Sequence, residues 1–288
     1  LVHLGGSQML RSLPLPRWLP PDFFSDARHY QIAALSTLLI FNIGWLDFGA
    51  RPLNSALAIG AALITQAICS RWFGVPMDPR SPLITGLSLS LLLRADEAWL
   101  HALAGVIGIG SKFLLRIDGK HIWNPAGLAI VVLLFTSNDV WISPGSWGTA
   151  VWLVTLLCFF AILVLHAARR SDMALFFLGS HAALLLARAW WLGDPLAIPL
   201  HQLQSGSLLI FSFFMISDPR TSPDSRLGRF LFALSVALLG HYMAFFMQMR
   251  PALYVALITL SPFILLIDKI LPSERFAWTR PAIQGAPR

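Results

Sequence analysis

Three short stretches open apolar runs with proline, glycine or serine: SPLITG (81–86), NPAG (124–127) and QSGS (204–207). In hydrocarbon an unpaired backbone N–H is costly, so such a break persists only where protein or a polar cavity surrounds it. A helix beginning at Asn124-Pro125 gives none of its first N–H groups to an upstream turn; proline suits the first helical turn and Asn124 can cap it. The free N–H groups and the positive end of the helix dipole then face something polar or anionic. Gly86, Gly127 and Gly206 remove side chains and let a flat or bulky group approach the backbone, although small residues in membranes also serve helix–helix contact. On this reading Ser81, Thr85, Gly86, Asn124, Pro125, Gly127, Ser205, Gly206 and Ser207 converge on one central polar site.

Ionisable residues inside apolar segments are expensive and point to function. Lys112 stands near the inner end of such a segment, after Gly105, Gly108 and Gly110; it either faces a phosphate or similar group in the site or snorkels to the interface. His121 lies just before NPAG, as a surface residue or a ligand. Asp218-Pro219, with Thr221 and Ser222, ends a segment either as a turn and helix cap or as support for the site. His181 and His241 lack a second histidine at helical spacing, which argues against haem. Cys69 and Cys158 lie far apart in apolar segments and read as packing residues, with neither a metal site nor a disulfide implied.

The elements that must position these residues follow from composition. The 288 residues are 56% hydrophobic and 12% charged, with a mean hydropathy of +0.68. Soluble domains carry roughly 25% charged residues, so the chain reads as an all-α integral membrane protein. Its net charge of +7 belongs to cytoplasmic loops rather than to nucleic-acid binding, because no basic run is interleaved with aromatics. Ten apolar segments run at about 30–49, 53–73, 82–93, 97–115, 124–136, 147–167, 172–192, 203–217, 227–247 and 251–271. Those at 82–93, 124–136 and 203–217 are shorter than the about 20 residues a plain spanning helix needs.

Divided five and five, the third segment aligns with the eighth and the fifth with the tenth, with Pro125 and Pro251 in the same relative place. An odd number per half forces the halves into opposite orientations, an inverted repeat with half-helices. Repeat 1 covers about 30–136 and repeat 2 about 147–271, within one membrane domain, 30–272, flanked by cytoplasmic segments 1–29 and 273–288. With the N-terminus inside, sixteen Lys and Arg fall on the inner side and four on the outer, which supports ten segments with both termini cytoplasmic. The stretch LPLPRWLPP near the N-terminus lacks the continuous apolar core of a cleavable signal. The tryptophans cluster at segment ends, as an interfacial belt does.

The stretches SPLITGLSLSLLL, GSKFLLRIDGKHIWNPAGLAIVVLL, GSLLIFSFFMISDPRTSP and LITLSPFILLIDKILP resemble the RnfD/NqrB family, whose members are membrane components of the Rnf electron-transport complex and of the sodium-translocating NADH:quinone reductase. The resemblance covers about 30–272 and implies ten transmembrane segments in two inverted halves, related to urea transporters. It also implies flavin, esterified in the family to a threonine in a D-x-[S/T]-G-A-T motif after the fifth segment. Here the loop TSNDVWISPGSWGTAVW (136–152) departs from that motif; Thr149 is the nearest acceptor, and covalent attachment is not expected. The expected cofactor is therefore FMN or riboflavin held non-covalently, with Lys112, His121, Asp218 and Thr221 joining the half-helix starts. Lys112 would then face the phosphate or the N1–C2=O edge of the ring.

The expected function is electron transfer by a flavin-binding membrane subunit of a larger redox complex in the bacterial inner membrane. Two cysteines and no CxxCH motif leave no iron–sulfur or haem centre, so other membrane or peripheral redox subunits are expected as partners. Two alternatives stay open: a structural subunit that has lost the cofactor, and a small-solute transporter or channel on the same fold.

Overall fold

The computed structural model describes residues 26–46, 50–117, 119–143 and 171–276. The expectations for 1–25, the sixth segment at 147–167, Thr149, Cys158 and 277–288 lie outside the described residues.

Helix α1, Ala27–Phe41, starts under the Asp26 cap and runs into a π-helical turn at Asn42–Leu46. Helix α2 spans Pro52–Trp72, with its proline in the first turn. Helix α3, Arg80–Leu92, continues as strand β1, Leu93–Ala95. Helix α4, Trp99–Leu114, leads into the hairpin of β2, Arg116–Ile117, and β3, Lys120–His121. Helix α5, Pro125–Thr136, precedes strand β4, Val140–Ile142. Beyond the undescribed stretch come α6, Ser171–Leu192, and α7, Ala197–Leu203. Helix α8, Gly206–Ile210, is prolonged by a π-helical turn, Phe211–Met215. Helix α9, Arg226–Phe245, is followed by α10, Ala252–Leu260, and α11, Phe263–Ile270.

Two of the apolar segments are broken. The run at 203–217 divides between the end of α7 and the α8 stretch. The run at 251–271 bends by 52° between α10 and α11; Pro262 cannot donate to the preceding turn, which is where a kink is expected.

Among the described residues, helices α2, α6 and α9 are long and apolar enough to cross a membrane, and α10 with α11 passes the same test together as a bent pair, either a broken span or a re-entrant loop. The faces of α2 show which solvent it meets. Its buried side is Asn54, Ser55, Ala58, Ala62, Gln66 and Ser70, at helical spacing. Its outer side presents Ile64 and Ile68, 61% and 59% exposed. Small and polar groups inside with bare isoleucine outside is unfavourable in water and suited to lipid, where small residues let helices approach. The chain is a mostly helical, multi-pass membrane protein.

Helix α3 packs between α1 and α2, and α4 lies against α2 and α5. In the second group α9 packs on α6 and α10. The groups join where α5 meets α10, and Trp123 Nε1 donates to the Ile258 carbonyl across that seam, 2.9 Å. The core runs through Leu35, Leu89, Leu92, Ile130 and Leu133 into Phe177, Phe211 and Phe232, all less than 2% exposed. Strands β1 and β4 pair antiparallel, Leu93 opposite Ile142 and Ala95 opposite Val140, and so tie the far ends of α3 and α5 together.

Candidate functional site: two cavities at opposite helix ends

Seven of the residues singled out by sequence line one cavity of about 220 Å³: Ser81, Thr85, Lys112, His121, Asn124, Pro125 and Asp218. Ser81 sits in the first turn of α3 and Lys112 in the last turn of α4; Lys112 Nζ donates to Ser81 Oγ at 2.6 Å. Lys112 is 8% exposed, so it faces the cavity rather than snorkelling outward. The β2–β3 hairpin then carries the chain from α4 to α5, with Gly119 at φ +76° in its turn, a conformation that favours glycine. Helix α5 starts as its sequence requires: Pro125 is in the first turn and Asn124 Oδ1 accepts from the Gly127 N–H, 3.0 Å. Burial pushes the His121 imidazole down to about 3, helped by the positive charges of Lys112, Arg220, Arg116 and Lys120, so at neutral pH it offers one donor and one acceptor. Burial also raises the Asp218 carboxyl, against the Arg220 N–H that it accepts at 3.0 Å and against the Arg220 and Lys112 charges.

The wall beside Ser81 is a closed lattice of charge. Arg28 binds Asp26 at 2.6 Å and Asp78 at 2.7 Å; Arg80 binds Asp26 at 2.6 Å and Asp78 at 2.8 Å. Burial works against the Asp78 carboxylate, but hydrogen bonds from Arg80 and the charges of both arginines hold it down at about 2. Asp26 is lowered in the same way, by Arg28 first. On the same face Lys120 joins the second half of the chain through Asp268, 2.8 Å, and Asp224, 3.4 Å, while Arg229 binds Asp172 at 2.7 Å.

A second cavity, about 870 Å³, lies at the other ends of these helices. Leu134 and Phe135 from the end of α5 line it, with Val140, Trp141 and Ile142 of β4. Ser205, Ser207 and Tyr254 meet there at the starts of α8 and α10, and Ser207 Oγ lies 3.1 Å from Tyr254 Oη. His181 of α6 joins the lining; its ring stacks on Phe177 with centroids 5.7 Å apart, and its Nδ1 has no hydrogen-bond partner. Gln202, Phe211, Phe245 and Arg250 also line it.

The three half-helix starts therefore do not converge on one site. SPLITG and NPAG open the first cavity, whereas QSGS opens the second, because α8 runs antiparallel to α3 and α5. Only the far end of the α8 stretch, at Phe214 and Asp218, returns to the first cavity. Two of the glycines serve helix contact instead of a ligand. A Cβ on Gly86 would lie 2.7 Å from Ile59 Cα, and one on Gly127 would lie 3.2 Å from Met215 Cε. Thr221 is buried behind Asp218, its N–H donating to the Asp218 carbonyl at 3.1 Å, and Gly206 is buried in the first turn of α8.

Sequence reasoning passed over Arg28, Gln66, Asp78, Arg116 and Arg220 in the first cavity, and Tyr254 and Arg250 in the second. One signal for the first set was present. Asp-Pro-Arg followed by Ser or Thr occurs twice, at 78–81 and 218–221, and both copies reach the first cavity. Each forms the same local turn, with the arginine N–H donating to the aspartate Oδ1 at 3.1 Å and 3.0 Å.

Residues 137–277 match the NQR2, RnfD, RnfE family. The chain is also similar to the RnfD component of the ion-translocating oxidoreductase complex of Stutzerimonas stutzeri: 26% identical over 288 aligned positions, covering 74% of this chain and 81% of the relative. The family named from the sequence motifs is thus the family that both matches reach. Ser205, Ser207, Tyr254 and β4 of the second cavity all fall within the matched stretch.

Proposed function

We propose that this chain is a divergent membrane subunit of an ion-translocating oxidoreductase complex, and that it holds FMN or riboflavin non-covalently in the second cavity. The observation that carries the reading is the size and lining of that cavity. About 870 Å³ falls within the roughly 300–1,000 Å³ of small-molecule sites, which are mostly apolar with a few polar groups. The first cavity, at about 220 Å³, is too small for a three-ring isoalloxazine. Trp141, Phe211 and Phe245 offer apolar walls for the ring; Ser205, Ser207, Tyr254 and Gln202 offer hydrogen bonds to its carbonyl edge. The resemblance puts the family's flavin after the fifth segment, and β4, which follows α5, lines this cavity. A bound flavin supplies one- and two-electron transfer; the protein's part is to orient it and exclude water. Donor and acceptor must come from other subunits, because two cysteines cannot hold an iron–sulfur cluster.

The same proposal includes ten passages in two inverted halves. Its support is the opposite direction of α5 and α8, each opening one cavity and ending at the other. The first cavity and its surroundings hold Arg28, Arg80, Arg116, Lys120, Arg220 and Arg229, whereas Arg94, Arg188 and Arg250 lie around the second; this excess supports a cytoplasmic first cavity in a bacterial inner membrane.

The test is to purify the chain in mild detergent, denature it and analyse what is released. Roughly one FMN or riboflavin per chain is expected, with none left on the polypeptide. Flavin-free protein, still folded, would overturn the cofactor and leave a scaffold subunit or a solute pathway on this fold.

A further inference from the structure

The first cavity is too small for the flavin ring, yet its chemistry is that of a binding site. Asp26, Arg28, Asp78 and Arg80 satisfy one another, two positive and two negative charges in one lattice. That leaves Lys112, Arg116 and Arg220 against the single carboxylate of Asp218 in the lining. Lys112 is more than nine-tenths buried, and its hydrogen bond goes to a neutral hydroxyl, Ser81 Oγ, so the ammonium carries its charge into the cavity without a bonded counter-ion. Helices α3 and α5, 13 and 12 residues long, begin at the same wall and add the positive ends of their dipoles.

Gln66 supplies an independent observation. It is 5% exposed, lines the cavity and donates through Nε2 to Ser70 Oγ at 3.1 Å, while its Oε1 has no partner. A buried amide oxygen without a donor is destabilising, so the wall that attracts negative charge also asks for one hydrogen. About 220 Å³ is room for several water-sized groups at roughly 30 Å³ each.

We propose that the first cavity is a second ligand site, for a small oxyanion that still carries a hydrogen: a hydrogenphosphate-type group, free or at the end of an ester. Lys112 and Arg220 bind its charged oxygens and Gln66 Oε1 accepts from its hydroxyl. Sulfate, of similar size and charge but without a hydrogen at neutral pH, satisfies the cations and leaves Gln66 unpaired. The site stands apart from the flavin reading, since its readout needs no flavin.

The experiment is thermal unfolding and titration calorimetry of the detergent-purified chain in phosphate-free buffer, with inorganic phosphate and sulfate as probes. Phosphate should raise the melting temperature saturably, and sulfate should bind about tenfold more weakly. Lys112→Gln should weaken phosphate at least about tenfold, and so should Arg220→Gln, a change at an exposed side chain that tests the site even if the lysine variant fails to fold. Gln66→Leu should erase the preference for phosphate over sulfate. Ser235→Ala, on the exposed face of α9 and in neither cavity, should change neither. In nanodiscs, competition by phosphatidic acid but not by phosphatidylcholine would support the site and assign it to a lipid headgroup; phosphate binding untouched by either lipid would support a soluble ligand. No saturable phosphate effect, or an undiminished one in both cation variants, overturns the site. Sulfate binding as tightly as phosphate overturns the choice of ligand.

Discussion

Asp78 shows how one residue couples the first cavity to stability. Arg28 and Arg80 both bind its carboxylate, and its folded pKa of about 2 lies below the ordinary 3.8. A carboxylate depressed in this way stabilises the fold above about pH 4 and loses that contribution as pH falls towards about 2. Asp26 acts in the same direction. With Asp78 about one-third exposed, screening reduces its share to about 1–2 kcal/mol. Thermal unfolding in detergent between pH 5 and about 2 should show this loss, and Asp78→Asn should lower stability at pH 5 while flattening the acid limb. His121 acts higher up the scale. Its folded pKa, pushed down to about 3, makes its contribution full above about pH 6.5 and lost as pH falls towards 3. His121→Gln should remove the decline between pH 6 and 5 and leave the carboxylate limb in place; an unchanged profile would contradict the neutral histidine. None of this charge lattice was legible from single residues. Asp26 caps α1, Arg28 lies in its first turn and Asp78 sits fifty residues on in the loop before α3, and only the repeated Asp-Pro-Arg hinted that such loops share a surface.

At the scale of elements, the helix starts were readable and their directions were not. Asn124-Pro125 caps and opens α5 as the residue types require, and Pro52 opens α2 in the same way. Apolar length placed α2, α6 and α9 within one to two residues of their observed ends. A Pro or Gly signal marks where a helix begins, but not which way it points across the molecule, so one site was expected where α8 opens a second. The role of glycine was also split. Gly86 lies against the backbone of α2, so Gly86→Ala forces α3 outward and should cost about 1–3 kcal/mol in detergent unfolding. Gly179, mid-helix in α6 with nothing within 4 Å of an added Cβ, is the contrasting case. Gly179→Ala should be neutral or stabilising by up to about 1 kcal/mol. Equal effects at the two positions would contradict the packing assigned to Gly86.

For the whole molecule, the proposed inverted arrangement makes a geometric demand on sidedness. Ser171, beside the Asp172–Arg229 pair, belongs to the first-cavity face, and Leu196, before α7, to the second. In a background with Cys69 and Cys158 replaced, Ser171→Cys should react with impermeant reagent only from the cytoplasm and Leu196→Cys only from outside. The reverse pattern would invert the assignment, and labelling of both from one side would end the inverted repeat. Membrane character was plain from composition, whereas pairing between the halves was not. Residues 137–277 carry the family match, while the first half supplies the β1 strand, the charge lattice and the α5 seam that complete both cavities.

The central claim is that flavin occupies the second cavity. Its most direct test is the flavin content of three proteins purified side by side: wild type, Ser207→Phe, which fills the second cavity beside Tyr254, and Lys112→Gln, which alters only the first. Wild type and Lys112→Gln should show the visible absorbance of oxidised flavin, and Ser207→Phe should lose it while eluting as a folded protein. Flavin retained in Ser207→Phe and lost in Lys112→Gln would contradict the account.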